Sequence, residues 1–282
     1  MLPNLKLIFI HGVNHQSTNY SADLFQRVLE ASRKKLRSKH IEDRIIDEIL
    51  NRVVRHEIMW ADLTTSLTAR YDQLQYPKRK FLWSFAARKI DPLAMQIMQY
   101  IKDKGDKQTG PMNILRDVDD DIAKVFLQTN IGDFVPGQDK NAVIIAHSLG
   151  SVIAFDYVFC FRDKCRLDPT VNIKALITMG SPLPLFTSAM GHPDSDLILP
   201  PNVNKWVNII SKNDGIARSL KPFFKNIPIK EHELFTSPLP IKSHCDYWKS
   251  KRIASLIADE ILEALELQGK EANPYLVEAK VK

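Results

Sequence analysis

Short apolar runs alternate along the chain with stretches in which apolar residues recur every three or four positions. The runs predict buried strands, and the recurring positions predict amphipathic helices. This alternation is typical of the α/β class, in which a mostly parallel sheet carries helices on both faces. The predicted strands are 5–10, 53–60, 142–146, 173–179, 205–210 and, more weakly, 229–235. The predicted helices include residues 24–36, 45–50, 113–128, 152–159 and 253–262, and a loop rich in Pro, Ser and Asp is predicted after residue 182.

The length and composition favour one domain over residues 1–282. A chain of 282 residues with 44% apolar residues can bury a sizeable core. Residues 63–112 interrupt the strand–helix alternation and are helix-rich, which predicts a helical cap or lid inserted into that domain. The tail over about residues 269–282 is polar, so we expect it to be loosely held.

Charge and targeting signals narrow the class of protein further. The net charge is +6, but no nucleic-acid-binding signature accompanies it, so we expect no nucleic-acid partner. The first residues contain no basic region followed by a long apolar run, and no segment has the apolar length of a membrane span. We therefore expect a cytoplasmic protein.

One part of the predicted insertion interleaves basic and aromatic side chains. Residues 78–89, from Lys78 to Lys89, include Phe81, Trp83 and Phe85. This pattern fits a segment that contacts anionic lipid at a membrane surface. The alternative, which we favour, is a cap helix whose aromatic side chains pack over the core.

The candidate chemistry begins where the strand 142–146 ends. Ala146, Ser148 and Gly150 follow the spacing of a nucleophile elbow, with small residues two positions before and after the serine. The serine of an elbow occupies a strained turn in which bulkier flanking residues would collide with the neighbouring strand or helix. A strand before the motif and a helix after it strengthen this interpretation. The alternative is a serine that only caps the helix.

A nucleophilic serine needs a histidine base and a carboxylate that orients the base. In the elbow arrangement these follow in the order acid, then histidine. Asp214 directly follows a buried strand, and His244 precedes the last helix, so both required positions are filled. The oxyanion needs two backbone N–H donors, which we expect from Leu149 and from Val13. Gly12 permits a close backbone approach there, and His11 is expected to help to shape the same turn.

Other residues compete for these roles. His147 adjoins Ser148 and cannot easily reach back to it as the base. His192 is a rival base, and Asp194 and Asp196 of the Pro-rich loop are rival acids. Asp246 is too near to His244 in sequence to be the preferred acid. The remaining histidines are interpreted as surface or core residues: His40, His56 and His232.

No metal site or cofactor is expected. His11 and His15 lie four residues apart, but Gly12 and Asn14 between them indicate a loop, and no carboxylate completes a ligand set. Three cysteines lack metal-ligand spacing and fit free thiols in a reducing compartment: Cys160, Cys165 and Cys245.

Taken together, these landmarks resemble the α/β-hydrolase superfamily, and within it the serine esterases and lipases. The resemblance extends from residue 5 to the final helix. Ala146 replaces the first glycine of the usual motif, as in many lipases. The resemblance implies a Ser148–Asp214–His244 triad, an acyl-enzyme mechanism and a cap or lid at 63–112. Its matching segments are His11-Gly12, 146–150, 178–182, 206–208 with Asp214, and His244 ahead of Tyr247-Trp248.

The predicted function is hydrolysis of carboxylic esters, with a small-molecule or lipid ester as substrate. Acyl-chain esters are favoured because the insertion is rich in aromatic residues and methionine, including Met95 and Met98. Thioester or amide cleavage and acyl transfer on the same triad are alternatives. Another is a non-catalytic binding protein, which predicts Ser148 and His244 beyond hydrogen-bond reach of each other.

Overall fold

The computed structural model describes residues 4–12, 18–59, 140–160, 171–189 and 197–266. In this part of the chain six strands form a single all-parallel sheet, with the order β2-β1-β3-β4-β5-β6. This confirms the α/β prediction. The strands are β1 Leu5–Ile10, β2 Val53–Ile58, β3 Asn141–His147, β4 Asn172–Met179, β5 Trp206–Ser211 and β6 Ile229–Leu234.

Helices cover both faces of the sheet. Successive residues of β1 alternate between two cores, with Phe9 in one and Ile10 in the other. The Phe9 core is completed by helices α1 Ala22–Ser38, α2 Asp43–Leu50 and α6 Lys251–Ala264. The Ile10 core is completed by α3 Leu149–Phe155, which continues as a π-helix over Asp156–Cys160, and by α4 Leu183–Ala189. The short α5, Pro240–Cys245, and a 3₁₀ turn, Asp246–Lys249, precede α6.

The connection of the strands points to the site. The chain passes from β1 to β2 on one side and then returns to β3 on the other side of β1. In open parallel sheets, ligands bind outside the carboxyl ends of the strands at such a reversal. The carboxyl ends of β1 and β3 carry His11-Gly12 and Ser148. The topology therefore indicates a ligand site at the residues that also form the predicted elbow.

The predicted loop after residue 182 is wrong over its first part, which forms α4. Proline is tolerated in the first turn of a helix, where its missing N–H has no partner to lose. Pro184 occupies such a position, and Leu183 and Phe186 are buried at helical spacing. The Thr187 hydroxyl donates to the Leu183 carbonyl at 3.0 Å.

Several predictions fall outside the described ranges. These are the insertion 63–112 with its basic and aromatic stretch, the helix 113–128 and the tail 269–282. Among the helices of the described residues, none is both long enough and apolar enough to cross a membrane.

A buried carboxylate joins the sheet to α6. Glu260 is only 2% exposed, and its two oxygens lie 2.7 Å from the ammonium groups of Lys205 and Lys230, at the starts of β5 and β6. Burial raises the pKa of Glu260, but the two lysines outweigh burial and hold that pKa below its ordinary value. The carboxylate is therefore charged in the folded protein and stabilises it above the pKa of an unfolded glutamate.

We predict that Glu260→Gln lowers the free energy of unfolding by about 1–3 kcal/mol at neutral pH, because two ammonium groups lose a buried charged acceptor. Glu263→Gln is the matched control. Glu263 contacts the same Lys205 but is 50% exposed, so its loss should cost under about 1 kcal/mol. Urea unfolding measures both variants. The difference between wild type and Glu260→Gln should shrink as the pH falls below about 4, and a difference that stays constant in acid would contradict the charge-based explanation.

Candidate active site

A strained turn joins β3 to α3 at Ser148. This serine has φ of +54°, in the left-handed region that non-glycine residues seldom adopt. The turn is held by its backbone, since the Ser148 N–H donates to the Met179 carbonyl at 3.0 Å and the Ser148 carbonyl accepts from the Ser151 N–H at 2.9 Å. Backbone strain of this kind is characteristic of functional sites, where the surrounding structure maintains it.

Close backbone approach explains the small residues around Ser148. A Cβ atom added to Gly150 would lie 2.3 Å from the His11 carbonyl oxygen, because α3 begins directly against the end of β1. A Cβ atom on Gly12 would lie 2.7 Å from the Ser148 Cβ. Neither contact is possible for a larger residue without a shift of the backbone. The requirement for glycine is therefore steric at both positions.

The structure brings Ser148, His244 and Asp214 together in one chain of hydrogen bonds. His244 Nε2 lies 2.8 Å from Ser148 Oγ. His244 Nδ1 lies 2.9 Å from Asp214 Oδ2 and 3.1 Å from Oδ1. Ser148 lies on the turn after β3, Asp214 on the turn after β5 and His244 on helix α5. All three residues are buried. The non-catalytic alternative predicts that Ser148 and His244 lie beyond hydrogen-bond reach of each other. The structure instead places them at hydrogen-bond distance.

The Asp214 carboxylate is held in its charged form. Its Oδ1 accepts the backbone N–H groups of Ile216 at 2.8 Å and Ala217 at 3.1 Å. Burial raises the pKa of Asp214, but the His244 ring and these N–H groups outweigh burial and lower that pKa to about 2. The carboxylate can therefore accept the Nδ1–H of His244, which leaves Nε2 as the acceptor that faces the Ser148 hydroxyl.

Tyr247 is a member of the site to which the sequence assigned no role. Its buried hydroxyl donates to Asp214 Oδ2 at 2.8 Å and accepts the N–H of Ser211 at 2.7 Å. Burial and the Asp214 charge raise the pKa of Tyr247 far above its ordinary value, so the hydroxyl remains a donor. No local sequence pattern predicts this contact, since 33 residues separate Tyr247 from Asp214.

A hydroxyl cluster fixes the segment that leads to His244. The Ser243 hydroxyl donates to Ser211 Oγ at 2.8 Å, and the Thr236 hydroxyl lies within 3.0 Å of Ser211 Oγ and of Ser243 Oγ. The cluster joins the end of β5 to the start of the β6–α5 connection, at Thr236, and to α5 itself, at Ser243. Because Ser243 precedes His244, these bonds restrict where α5 can place the imidazole.

The predicted oxyanion donors are only partly described. Leu149 is the first residue of α3, and the N–H groups of the first helical turn have no partner within the helix. Val13 lies outside the described residues. His11 is buried, and its Nδ1–H donates to the Gly12 carbonyl at 2.6 Å.

The rival candidates separate into two groups. His15, His192, Asp194 and Asp196 lie outside the described residues. Asp246 is described and lies on the 3₁₀ turn after α5, where it is partly exposed. Over the described ranges no three His, Cys, Asp or Glu side chains are grouped as a metal site would need. Cys245 is exposed at the end of α5.

The all-parallel sheet, its strand order and the serine turn after β3 define an α/β-hydrolase fold, as the sequence predicts.

No family model matches the chain, and neither does any curated protein. Two similar solved structures are the esterase domain of a Rhodothermus marinus protein and ClbQ from the colibactin NRPS/PKS pathway. The first is 13% identical with a TM-score of 0.34, over 93% of this chain and 84% of that one. The second is 13% identical with a TM-score of 0.44, over 94% of this chain and 100% of that one. What the protein does must therefore be inferred from its own site.

We predict that Tyr247→Phe lowers the free energy of unfolding by about 1–3 kcal/mol, because the buried N–H of Ser211 loses its acceptor and Asp214 loses a donor. Tyr20→Phe is the control: the Tyr20 hydroxyl donates to the Phe9 carbonyl at 2.5 Å and has no contact with Asp214. Loss of that hydrogen bond should cost about 0.5–1.5 kcal/mol. Urea unfolding at neutral pH measures both, and a Tyr247→Phe variant as stable as wild type would show that the contact to Asp214 is not stabilising.

Proposed function

We propose that the protein is a serine hydrolase that cleaves carboxylic esters through an acyl-enzyme on Ser148. One observation carries the proposal: the hydrogen-bonded chain Ser148–His244–Asp214, at 2.8 and 2.9 Å, with the serine on a strained turn. A serine that merely capped α3 would need neither an imidazole on its hydroxyl nor a charged carboxylate behind that imidazole.

The proposed reaction has two halves. His244 Nε2 takes the proton of the Ser148 hydroxyl as Oγ forms a bond to the ester carbonyl carbon. Asp214 stays ionised, holds the Nδ1–H and stabilises the imidazolium. The imidazolium then gives its proton to the leaving alcohol, and the acyl group remains on Oγ. In the second half His244 activates water, the carboxylic acid leaves, and the proton returns to Ser148.

Charge on the tetrahedral intermediate requires donors aimed at the oxyanion. We assign one donor to the Leu149 N–H, which follows Ser148 and opens α3. We assign the second to the Val13 N–H, since Gly12 already lies against Ser148. His11, Gly12 and Gly150 support this arrangement through the close packing of the β1 end on the serine turn.

A small-molecule or lipid ester is the substrate that we propose. The support comes from the sequence: residues 63–112 contain Phe81, Trp83, Phe85, Met95 and Met98, which suit an acyl chain. The basic side chains between Lys78 and Lys89 extend the proposal to peripheral contact with an anionic membrane.

Labelling with a fluorophosphonate probe tests the serine chemistry. Ser148→Ala should abolish labelling because the attacking oxygen is gone. His244→Ala and Asp214→Asn should slow labelling by about 10²- to 10⁴-fold, since the base or its orientation is lost. Asp246→Asn and His232→Ala are matched controls, which remove the same side-chain types away from the hydrogen-bonded chain and should label at the wild-type rate. A folded wild type that does not label would contradict the proposal and favour a binding protein.

A substrate panel tests the ester assignment separately. Wild type and Ser148→Ala would be compared on p-nitrophenyl esters of two to sixteen carbons, an acyl thioester and a peptide anilide. We expect the esters to be cleaved at least about tenfold faster than the other classes, with no turnover by Ser148→Ala. Medium or long acyl chains should be preferred if the insertion lines an acyl pocket. Faster cleavage of the thioester or anilide would overturn the ester assignment and leave the serine mechanism in place.

A further inference from the structure

The proposed mechanism gives no role to His147, although this residue is buried at the centre of the site. His147 ends β3 and directly precedes Ser148. Its ring centroid lies 5.0 Å from that of His244, 5.3 Å from that of Tyr247 and 5.7 Å from that of Trp248. A polar ring in such a place needs partners for both of its nitrogens.

Both ring nitrogens of His147 have partners, and these define its tautomer. The indole N–H of Trp248 is only a donor, and it lies 3.2 Å from His147 Nδ1. The main-chain carbonyl of His244 is only an acceptor, and it lies 2.8 Å from His147 Nε2. Nδ1 therefore accepts and Nε2 carries the hydrogen, so the ring is neutral.

The surroundings keep this imidazole neutral. Burial lowers the pKa of His147, and the nearby His244 lowers it further, to about 3. The other charged or titratable groups that face it are Asp214, which opposes the shift, His11, which adds to it, and the Tyr247 hydroxyl. His147 consequently adds no second positive charge beside the imidazolium that His244 forms during the proposed reaction.

The contact to the His244 carbonyl compensates for a weakness of α5. This helix has six residues, and the last four carbonyls of any helix have no partner within it. His244 is the penultimate residue of α5 and is buried, so its carbonyl needs a hydrogen-bond donor from elsewhere. His147 supplies that donor from the end of β3.

Two hydrogen bonds therefore connect two consecutive residues, the last of β3 and the first of the turn after it, to one residue of α5. His147 holds the main chain of His244, and Ser148 faces its side chain. These two short contacts fix the distance between the nucleophile and the base. The distance therefore does not depend on the long stretch of chain between β3 and α5. Trp248 anchors the other side of His147, since its ring packs on Phe9 and Tyr20 with centroids 6.3 and 5.4 Å away.

We propose that His147 is a positioning residue: its neutral ring bridges the Trp248 indole N–H and the His244 carbonyl, and so keeps His244 within reach of Ser148. This inference rests on the proposed function of Ser148 and adds a residue that acts through the base.

The test compares His147→Phe with His147→Gln. Phenylalanine fills the space and removes both hydrogen bonds, whereas the glutamine amide can donate to the carbonyl and accept from the indole. On p-nitrophenyl acetate we expect kcat and the rate of fluorophosphonate labelling to fall about 10- to 100-fold in His147→Phe, with KM within about twofold of wild type. His147→Gln should recover most of this loss, and Trp248→Phe should show an intermediate loss. A His147→Phe variant that folds and labels at the wild-type rate would overturn the inference.

A second measurement does not depend on activity. In ¹⁵N-histidine-labelled Ser148→Ala protein, NMR should show His147 as the Nε2–H tautomer, without titration between pH 5 and 8. An Nδ1–H tautomer, or titration in this range, would overturn the inference even if His147→Phe fails to fold. The two proposals can fail separately: a wild type that does not label contradicts the serine hydrolase, whereas a labelling wild type with a fully active His147→Phe contradicts only the positioning role.

Discussion

The close approach of three backbone segments at the carboxyl end of β3 is the constraint on which the rest of the site depends. Ser148 takes a left-handed conformation there, the end of β1 lies against it, and α3 begins immediately afterwards. Gly12 and Gly150 are the positions at which this crowding excludes a side chain. The result is a serine hydroxyl fixed at the edge of the sheet, at the point where the order of the strands reverses.

The parallel sheet turns a large separation in sequence into proximity. Because all described strands point the same way, the turn after β3, the turn after β5 and the segment after β6 meet at one edge. Ser148 and His244 are 96 residues apart in the chain and are joined by one hydrogen bond. The buried Asp214 charge is tolerated there because backbone N–H groups, an imidazole and the Tyr247 hydroxyl all donate to it.

The strands and the three residues of the hydrogen-bonded chain could be predicted from sequence because their signals are local or ordered. Apolar runs mark buried strands, and the elbow spacing marks Ser148. The acid-then-histidine order then leaves Asp214 and His244 as the natural choices. The contacts of Tyr247 and His147 could not be predicted, since each depends on tertiary packing between residues far apart in the chain. Helix α4 was missed because prolines that break a helix interior are permitted in its first turn.

β4 supplies none of the three residues, yet its carboxyl end lies against Asp214 and the side chains that surround it. Gly180 follows this strand with φ of +59°, a conformation that glycine adopts without strain. A Cβ atom there would lie 3.1 to 3.3 Å from the Tyr247 ring, Asp214 Oδ2 and His147 Nε2 together. The acid, its tyrosine donor and the proposed positioning histidine thus converge on the space that a missing side chain leaves. Strands β3 and β5 bring polar groups to the edge of the sheet, and the strand between them contributes the room in which those groups can hydrogen-bond.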